Sequence, residues 1–354
     1  METKVATATT ATRVQRRFRV LMTGSAGAVL GGTVLALGTG AVDVPVGDVV
    51  RILAAHLGGG RYGADLIGDD IVWQYRAPRA LLAIVAGTGL SVAGTVLQAV
   101  VRNPLADPYV LGLASGASLG AVAVLTLGSA AVAGLSLPAA AFAGAAAALA
   151  AVLALGRRAG QLLPGRLLLA GVSIGYLASA VTSYLQLRAH PDRLAGVLFW
   201  LLGSLSGAQW SQLGIPAGCV LGGTLWLLTQ ARRLNALAFG DETATALGVD
   251  VARLRLRLLL VTALVTGTVI AEVGAIGFVG LLVPHLVRLL VGADHRRVLP
   301  LAALLGGGYL LLVDTAARTL ARPVELPVGI LTAVLGTPGL LWLLRRGDTD
   351  PAVR

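Results

Sequence analysis

Three arginines carry the first chemical signal in the chain. Arg76 and Arg79 fall in YRAPRALL and Arg318 in DTAARTL, each beside an apolar run, on the side of those runs where basic residues are otherwise scarce. A guanidinium offers a fixed fork of N–H donors, so arginines gathered at one mouth would seat an acidic ligand or the carboxylates of a docking partner. The spacing of Arg76 and Arg79 predicts a shared face at the start of a helix. Cations oppose the dipole at a helix N-terminus, so capping is a poor reason for them to stand there. The structural alternative is that their long stems snorkel to a charged boundary.

Glu272, His285 and Asp314 interrupt apolar segments, where a charge is costly and needs a reason. Asp314 and Arg318 are four residues apart, the spacing of a structural ion pair on one helix face. Glu272 has no local partner and opens the segment EVGAIGF. His285 follows Pro284, where a helix loses a backbone hydrogen bond, and is expected to bond backbone or a neighbour. The second candidate site is LNALAFGDETATALGVDVARLRLR. Asn235 and Asp241 read there as N-caps of two short helices parted by Phe239 and Gly240. Each is too short to be stable alone, which suits a docking element lying across a surface; an ordinary amphipathic loop is the plainer alternative.

The elements that must hold these residues are apolar helices. Hydrophobic residues make up 56% of the 354 and charged residues 13%, a membrane-protein composition. A hydrocarbon core takes roughly 20 apolar residues per helix, because each backbone N–H must bond within its own segment. Suitable runs lie at 20–42 and 80–101, twice within 108–156 with a hairpin near 134–138, and at 167–187. The run at 194–231, broken by GSLSGAQW, reads as a short membrane-inserted helix followed by a span from about residue 212. Further spans fall at 258–271, 273–287, 298–313 and 326–344, about ten in all. Three are short and interrupted by Glu272, His285 and Asp314.

Arg13, Arg16, Arg17 and Arg19 precede the first run, which is too long for a signal peptide and lacks a cleavage site. They predict a cytoplasmic N-terminus, and alternation puts Arg102, Arg157, Arg232, Arg253, Arg296 and Arg345 inside, with the C-terminus. Gly112, Gly116 and Gly120 predict one helix face that a neighbour approaches closely. The breaks at VRNPLADP and GAIGFVGLLVP stand at corresponding places in two halves of opposite orientation, which hints at an inverted repeat.

Other classes are excluded by what the chain contains. The net charge of +11 sits in short clusters between apolar runs, as topology signals and not as a nucleic-acid surface. One cysteine, Cys219, and four histidines support neither a disulfide framework nor a metal centre. The only lysine is Lys4, so there is no Walker A motif; a nucleophile elbow and a paired-histidine motif are also missing. An intramembrane enzyme would need a catalytic pair that the sequence does not offer. Any energy source is an ion gradient or a separate subunit.

Over residues 20–346 the chain resembles the FecCD-type permease subunits of iron–siderophore, haem and vitamin B12 ABC importers, the type II importer class. The resemblance rests on RAPRALLAIVAGTGLSVAGTVLQAVVRNPLADPYVLGLASGASLGA, RLLLAGVSIG, WLLGSLSGAQW, FGDETATALGVD, GAIGFVGLLVPHLVRLLVGADHRRVLPLAALLGG and ELPVGILTAVLGTPGLLWLL, in order. It implies an all-α polytopic membrane protein of about ten helices with an inverted internal repeat. Residues 20–346 would form a single permease domain, flanked by cytoplasmic tails at 1–19 and 347–354. It implies a homodimer, two cytoplasmic ATPase subunits and an extracytoplasmic solute-binding protein, with no cofactor, metal or catalytic residue in this chain. Arg76, Arg79 and Arg318 match arginines that receive acidic residues of the binding protein. The loop at about 235–250, with Asn235, Gly240, Asp241, Glu242, Leu247 and Gly248, resembles coupling helices seated on the ATPases. Asn103, Pro104 and Leu105 resemble the cytoplasmic gate. The implied function is import of an iron chelate, a ferric siderophore first, haem or cobalamin otherwise. Glu272 departs from the pattern, where a small or apolar residue is expected. The competing reading is an ion-coupled secondary transporter that uses Glu272 or Asp314.

Overall fold

The computed structural model describes residues 2–63, 65–158, 161–322 and 324–347. Helix α1 (Glu2–Gly38) is followed by the amphipathic α2 (Val46–Leu57) and the short α3 (Leu66–Asp70). A π-helical turn, Ile71–Arg76, joins α3 to α4 (Ala77–Val101) without a break. Next come α5 (Leu113–Leu127), α6 (Leu137–Gly156), a two-residue-per-strand hairpin pairing Arg157–Arg158 with Gln161–Leu162, and α7 (Pro164–Leu187). The second half holds α8 (Pro191–Leu202), α9 (Trp210–Thr229), α10 (Ala231–Ala238) and α11 (Asp241–Ala246). It closes with α12 (Val251–Val273), α13 (Val279–Val291), α14 (His295–Thr319) and α15 (Val328–Gly347).

Seven helical runs among these are long and apolar enough to cross a bilayer, and three shorter apolar helices, α5, α13 and part of α15, join them. The helical content and the ten apolar helices agree with the polytopic fold expected. The inserted helix at 194–231 is α8, which stops at Gly203 before α9 begins.

Helix α4 is apolar on every side and buried along most of its length, as a helix at the centre of a bundle must be. Its first half joins α1, α2, α13 and α14 in one core around Leu37, Ile52, Leu90 and Leu310. Its second half joins α5, α6, α7, α10 and α12 in another around Leu97, Leu113, Leu167, Leu234 and Leu258. Small residues set the approach distances. A Cβ at Gly94 would overlap the carbonyl of Gly280, and one at Gly116 or Gly120 would overlap the α6 carbonyls of Gly144 or Ala140. The glycine face expected on α5 is therefore a packing face, except that Gly112 lies just outside the helix at φ +74°.

Several expectations need correction. Glu272, His285 and Asp314 do not interrupt their helices, since α12 runs through to Val273, α13 through to Val291 and α14 through to Thr319. A side-chain charge leaves the backbone ladder intact; glycines at 274 and 277 are what separate α12 from α13. The span expected at 273–287 is accordingly displaced to α13. Nor does a helix start at Arg76, because the helical run begins at Leu66. The expected N-terminal tail is helical from Glu2, and the C-terminal tail beyond Gly347 lies outside the described residues.

Candidate functional site

At one end of the bundle α1 terminates against two arginines. Arg76 donates from one Nη to the Leu37 carbonyl at 2.7 Å and from the other to the Val42 carbonyl. Arg318 donates to the Ala36 carbonyl at 3.1 Å and the Thr39 carbonyl at 3.5 Å. The remaining carbonyls of that turn, Leu35 and Gly38, accept from Thr39 N and Val44 N. Every orphan carbonyl at the end of α1 is thus satisfied, with two cations at the negative end of its dipole. The dipole argument drawn from sequence is reversed: these arginines cap a neighbouring helix and do not oppose their own.

Arg79 extends across to α14. Its Nε and Nη2 donate to Asp314 at 2.9–3.1 Å, and its Nη1 donates to Glu325 at 2.8 Å. Asp314, which is wholly buried, also meets Arg318 Nε at 3.3 Å. The i, i+4 pair expected from sequence is present, but its principal partner is Arg79, from another helix and invisible to local spacing. All three arginines are about 7% exposed and turned inward. They form the floor of an open cavity of about 480 Å³ whose rim carries Tyr75, Ser206, Arg322 and Glu325. Arg322, half-exposed and 3.6 Å from Asp43, is the rim's outer cation.

The opposite end carries α10 and α11. Asn235 is in the middle of α10, so the N-cap assignment fails. Its amide instead donates to Asp294 at 2.7 Å, while its carbonyl accepts from the His295 N–H at 2.9 Å and from Nδ1 at 2.7 Å. Asp294 caps α14 by accepting from the Arg296 N–H. Burial raises the Asp294 carboxyl, but the Asn235 amide, the Arg296 N–H and the nearby guanidinium groups outweigh it and hold its pKa below the ordinary value. Asp241 is the first residue of α11, and Gly240, at φ +111°, is the cap. The Asp241 carboxylate pairs with Arg102 and accepts from Arg255 at 3.0 and 3.3 Å. Phe239, at 77% exposure, and Leu247, at 66%, project outward beside the exposed Glu242 and Gly248. Sequence reasoning placed Phe239 only as part of the break between the two helices, although an aromatic on so short a polar loop is itself a signal.

The gate segment follows α4. Arg102 is left-handed at φ 53°, Asn103 Oδ1 accepts from the Leu105 N–H at 2.9 Å across Pro104, and Asp107 caps a 3₁₀ turn over Pro108–Leu111. Burial pushes the Asp107 carboxyl up to about 6, against the lowering effect of the Tyr109 N–H it accepts. Tyr109 fixes the other break: its hydroxyl donates to the Ile276 carbonyl at 2.7 Å and accepts from the Ile276 N–H at 2.8 Å. The two glycine- and proline-marked breaks are therefore in direct contact. Glu272 is half-buried and His285 partly buried. Neither has a hydrogen-bond partner among the described residues, so the bond expected of His285 is not made.

Ten apolar helices, a buried arginine cluster at one end and a short helix pair at the other define a multi-pass membrane protein. Comparison with known proteins agrees. The chain belongs to the FecCD transport family, whose model matches residues 28–346. It is 45% identical over 294 residues to the hemin transport system permease protein HmuU of Yersinia pestis, covering 78% of this chain and 85% of that one. It is 44% identical over 285 residues to the cobalamin import system permease protein BtuC of Halobacterium salinarum, covering 80% and 76%. A solved ABC transporter assigned to the metal-chelate type, captured facing inward, superposes with a TM-score of 0.80 at 32% identity, covering 92% of this chain and 98% of that one. The protein is a transport permease of the type II ABC importer class.

Proposed function

We propose that this chain is the membrane-spanning subunit of an ATP-driven importer that carries an iron chelate, a ferric siderophore in the first instance, through a path it shares with a second copy. Among the relatives, one is named for hemin and one for cobalamin, so identity alone favours no single cargo. Each is a metal chelate, and that common chemistry supports the class. A separate ATPase subunit supplies the energy, and a solute-binding protein delivers the cargo to the arginine-floored cavity. The supporting observation is the division of labour between the two ends: a cationic cavity at one, and at the other two short helices exposing Phe239 and Leu247. The basic clusters support an orientation with the short helices and both termini in the cytoplasm. Helix α7 supports a shared path, because Leu169, Tyr176 and Tyr184 leave it a large exposed face for a second copy to cover. Asp314 is engaged by two arginines, which argues against its use as a proton carrier.

The test is stimulation of ATP hydrolysis in nanodiscs that contain this permease and its ATPase, with loaded binding protein added. Because Arg76 and Arg318 also cap α1, the charge reversal belongs at Arg322, on the rim. Arg322→Glu should weaken the binding protein's half-saturation about tenfold and make the association less sensitive to salt. Unaltered stimulation, or cargo uptake that follows a proton gradient with no ATPase present, would refute the proposal.

A further inference from the structure

Arg102 breaks a local rule. A helix that must stop before Asn103–Pro104 normally ends on glycine, since the left-handed conformation crowds a Cβ against the following carbonyl. Arg102 nevertheless holds φ 53° and ψ 41° there, so the surrounding contacts impose the conformation. Its guanidinium pairs with Asp241, at the head of α11. The same carboxylate is held by Arg255 of α12, whose side chain is 5% exposed. The other Nη of Arg255 donates to the Leu162 carbonyl, in the hairpin between α6 and α7, at 3.0 Å. One carboxylate on α11 therefore joins the end of α4, the start of α12 and, through Arg255, the hairpin that leads into α7. At six residues α11 has no stability of its own, so such tethers and the buried Ala244 fix its position.

We infer that Asp241, through Arg102, is the mechanical link by which α11 moves the turn at Asn103–Leu105, with Arg255 passing the same motion to α12 and the hairpin. This rests on the proposal that α10 and α11 receive the ATPase subunit. The two links differ in kind. Arg255 is buried and bonded on two sides, whereas Arg102 is 40% exposed at its side chain, so the pair it makes is the solvent-facing joint. Asn235 gives α10 a matching hold on the start of α14, so the helix pair grips both halves of the bundle.

The experiment uses the assembled permease and ATPase in proteoliposomes and measures cargo moved per ATP hydrolysed for Arg102→Gly and Arg102→Lys. Glycine relieves the left-handed strain and removes the ion pair, so the thermal midpoint should hold or rise while the transport ratio falls about fivefold or more. Lysine keeps the charge and should retain most of the ratio. That opposition between stability and coupling is the signature, since a merely structural arginine would lose both together or neither. A wild-type ratio in Arg102→Gly, or equal losses in the two variants, overturns the link. If the wild-type permease recruits no ATPase, the docking proposal itself fails and the link falls with it; recruitment with normal coupling in Arg102→Gly removes the link alone.

Discussion

Arg79 shows how one side chain accumulates obligations. It neutralises Asp314, which is wholly buried, reaches Glu325, and so ties α4 to α14 and to the segment after it. Removing Arg79 strips Asp314 of its closest donors and leaves it with Arg318 alone, so the cost approaches the about 3–5 kcal/mol of a broken buried pair without exceeding it, whereas removing both charges together is often close to neutral. Arg79→Gln should therefore lower thermal stability sharply in detergent, and Arg79→Gln with Asp314→Asn should recover most of it. A double variant as unstable as the single one would mean that Arg79 acts mainly through Glu325. Arg76 and Arg318 follow the same logic toward α1, whose last carbonyls they close. A loss of activity at either position must be read together with stability, because the guanidinium groups proposed for docking also close the end of α1.

At the scale of elements, glycine pairs decide how closely helices pack, and so where the polar groups meet. Gly94 on α4 faces the carbonyl of Gly280 on α13, and Gln98 one turn on donates to that same carbonyl at 3.2 Å. Gly94→Ala would force the two helices apart, and overpacking of this kind costs about 1–3 kcal/mol. The expected result is a lower thermal midpoint, with faster hydrogen exchange along Ile276–Gly280, since Tyr109 could no longer hold Ile276. Unchanged exchange there would show that the α4–α13 contact does not set the break. The positions of α12 and α13 follow from the same contacts, which is why charged residues in the apolar runs misled the span boundaries and glycines did not.

For the molecule as a whole, the two ends work as separate surfaces joined by α4. Phe239 and Leu247 stand out of the short helix pair with most of their surface exposed. Exposed apolar side chains on so small an element suit a partner's cleft. Phe239→Asp with Leu247→Asp should abolish co-purification of the ATPase subunit while shifting the permease's own stability by no more than about 0.5 kcal/mol, as surface substitutions do. Retention of the ATPase by this variant would move the docking site elsewhere on that face. The arginine-floored cavity is tested independently through Arg322, so either surface can fail without the other.

Much of this was legible in the residues alone, and the reason is physical. A bilayer requires each helix to satisfy its own backbone, so apolar length, glycine breaks and arginine clusters mark about ten helices, and a further short one before α9, with little help from tertiary context. The two short helices parted by Phe239 and Gly240 were legible as well, although the caps assigned to Asn235 and Asp241 were misplaced and Gly240 is the residue that ends the break. What local spacing could not supply were partners far apart in the chain. Arg79 with Asp314, Arg76 with the end of α1, Asn235 with Asp294 and His295, Asp241 with Arg102 and Arg255, and Tyr109 with Ile276 all join residues from different elements. Of these side chains, Arg76, Arg79, Asn235, Asp241 and Asp314 were singled out from the sequence, whereas Tyr109, Asp294, His295 and Arg255 were not. Only the packing of α1, α4, α12 and α14 decides whether a guanidinium meets a carboxylate, a helix end or open solvent, because burial and distance are set by the assembled bundle.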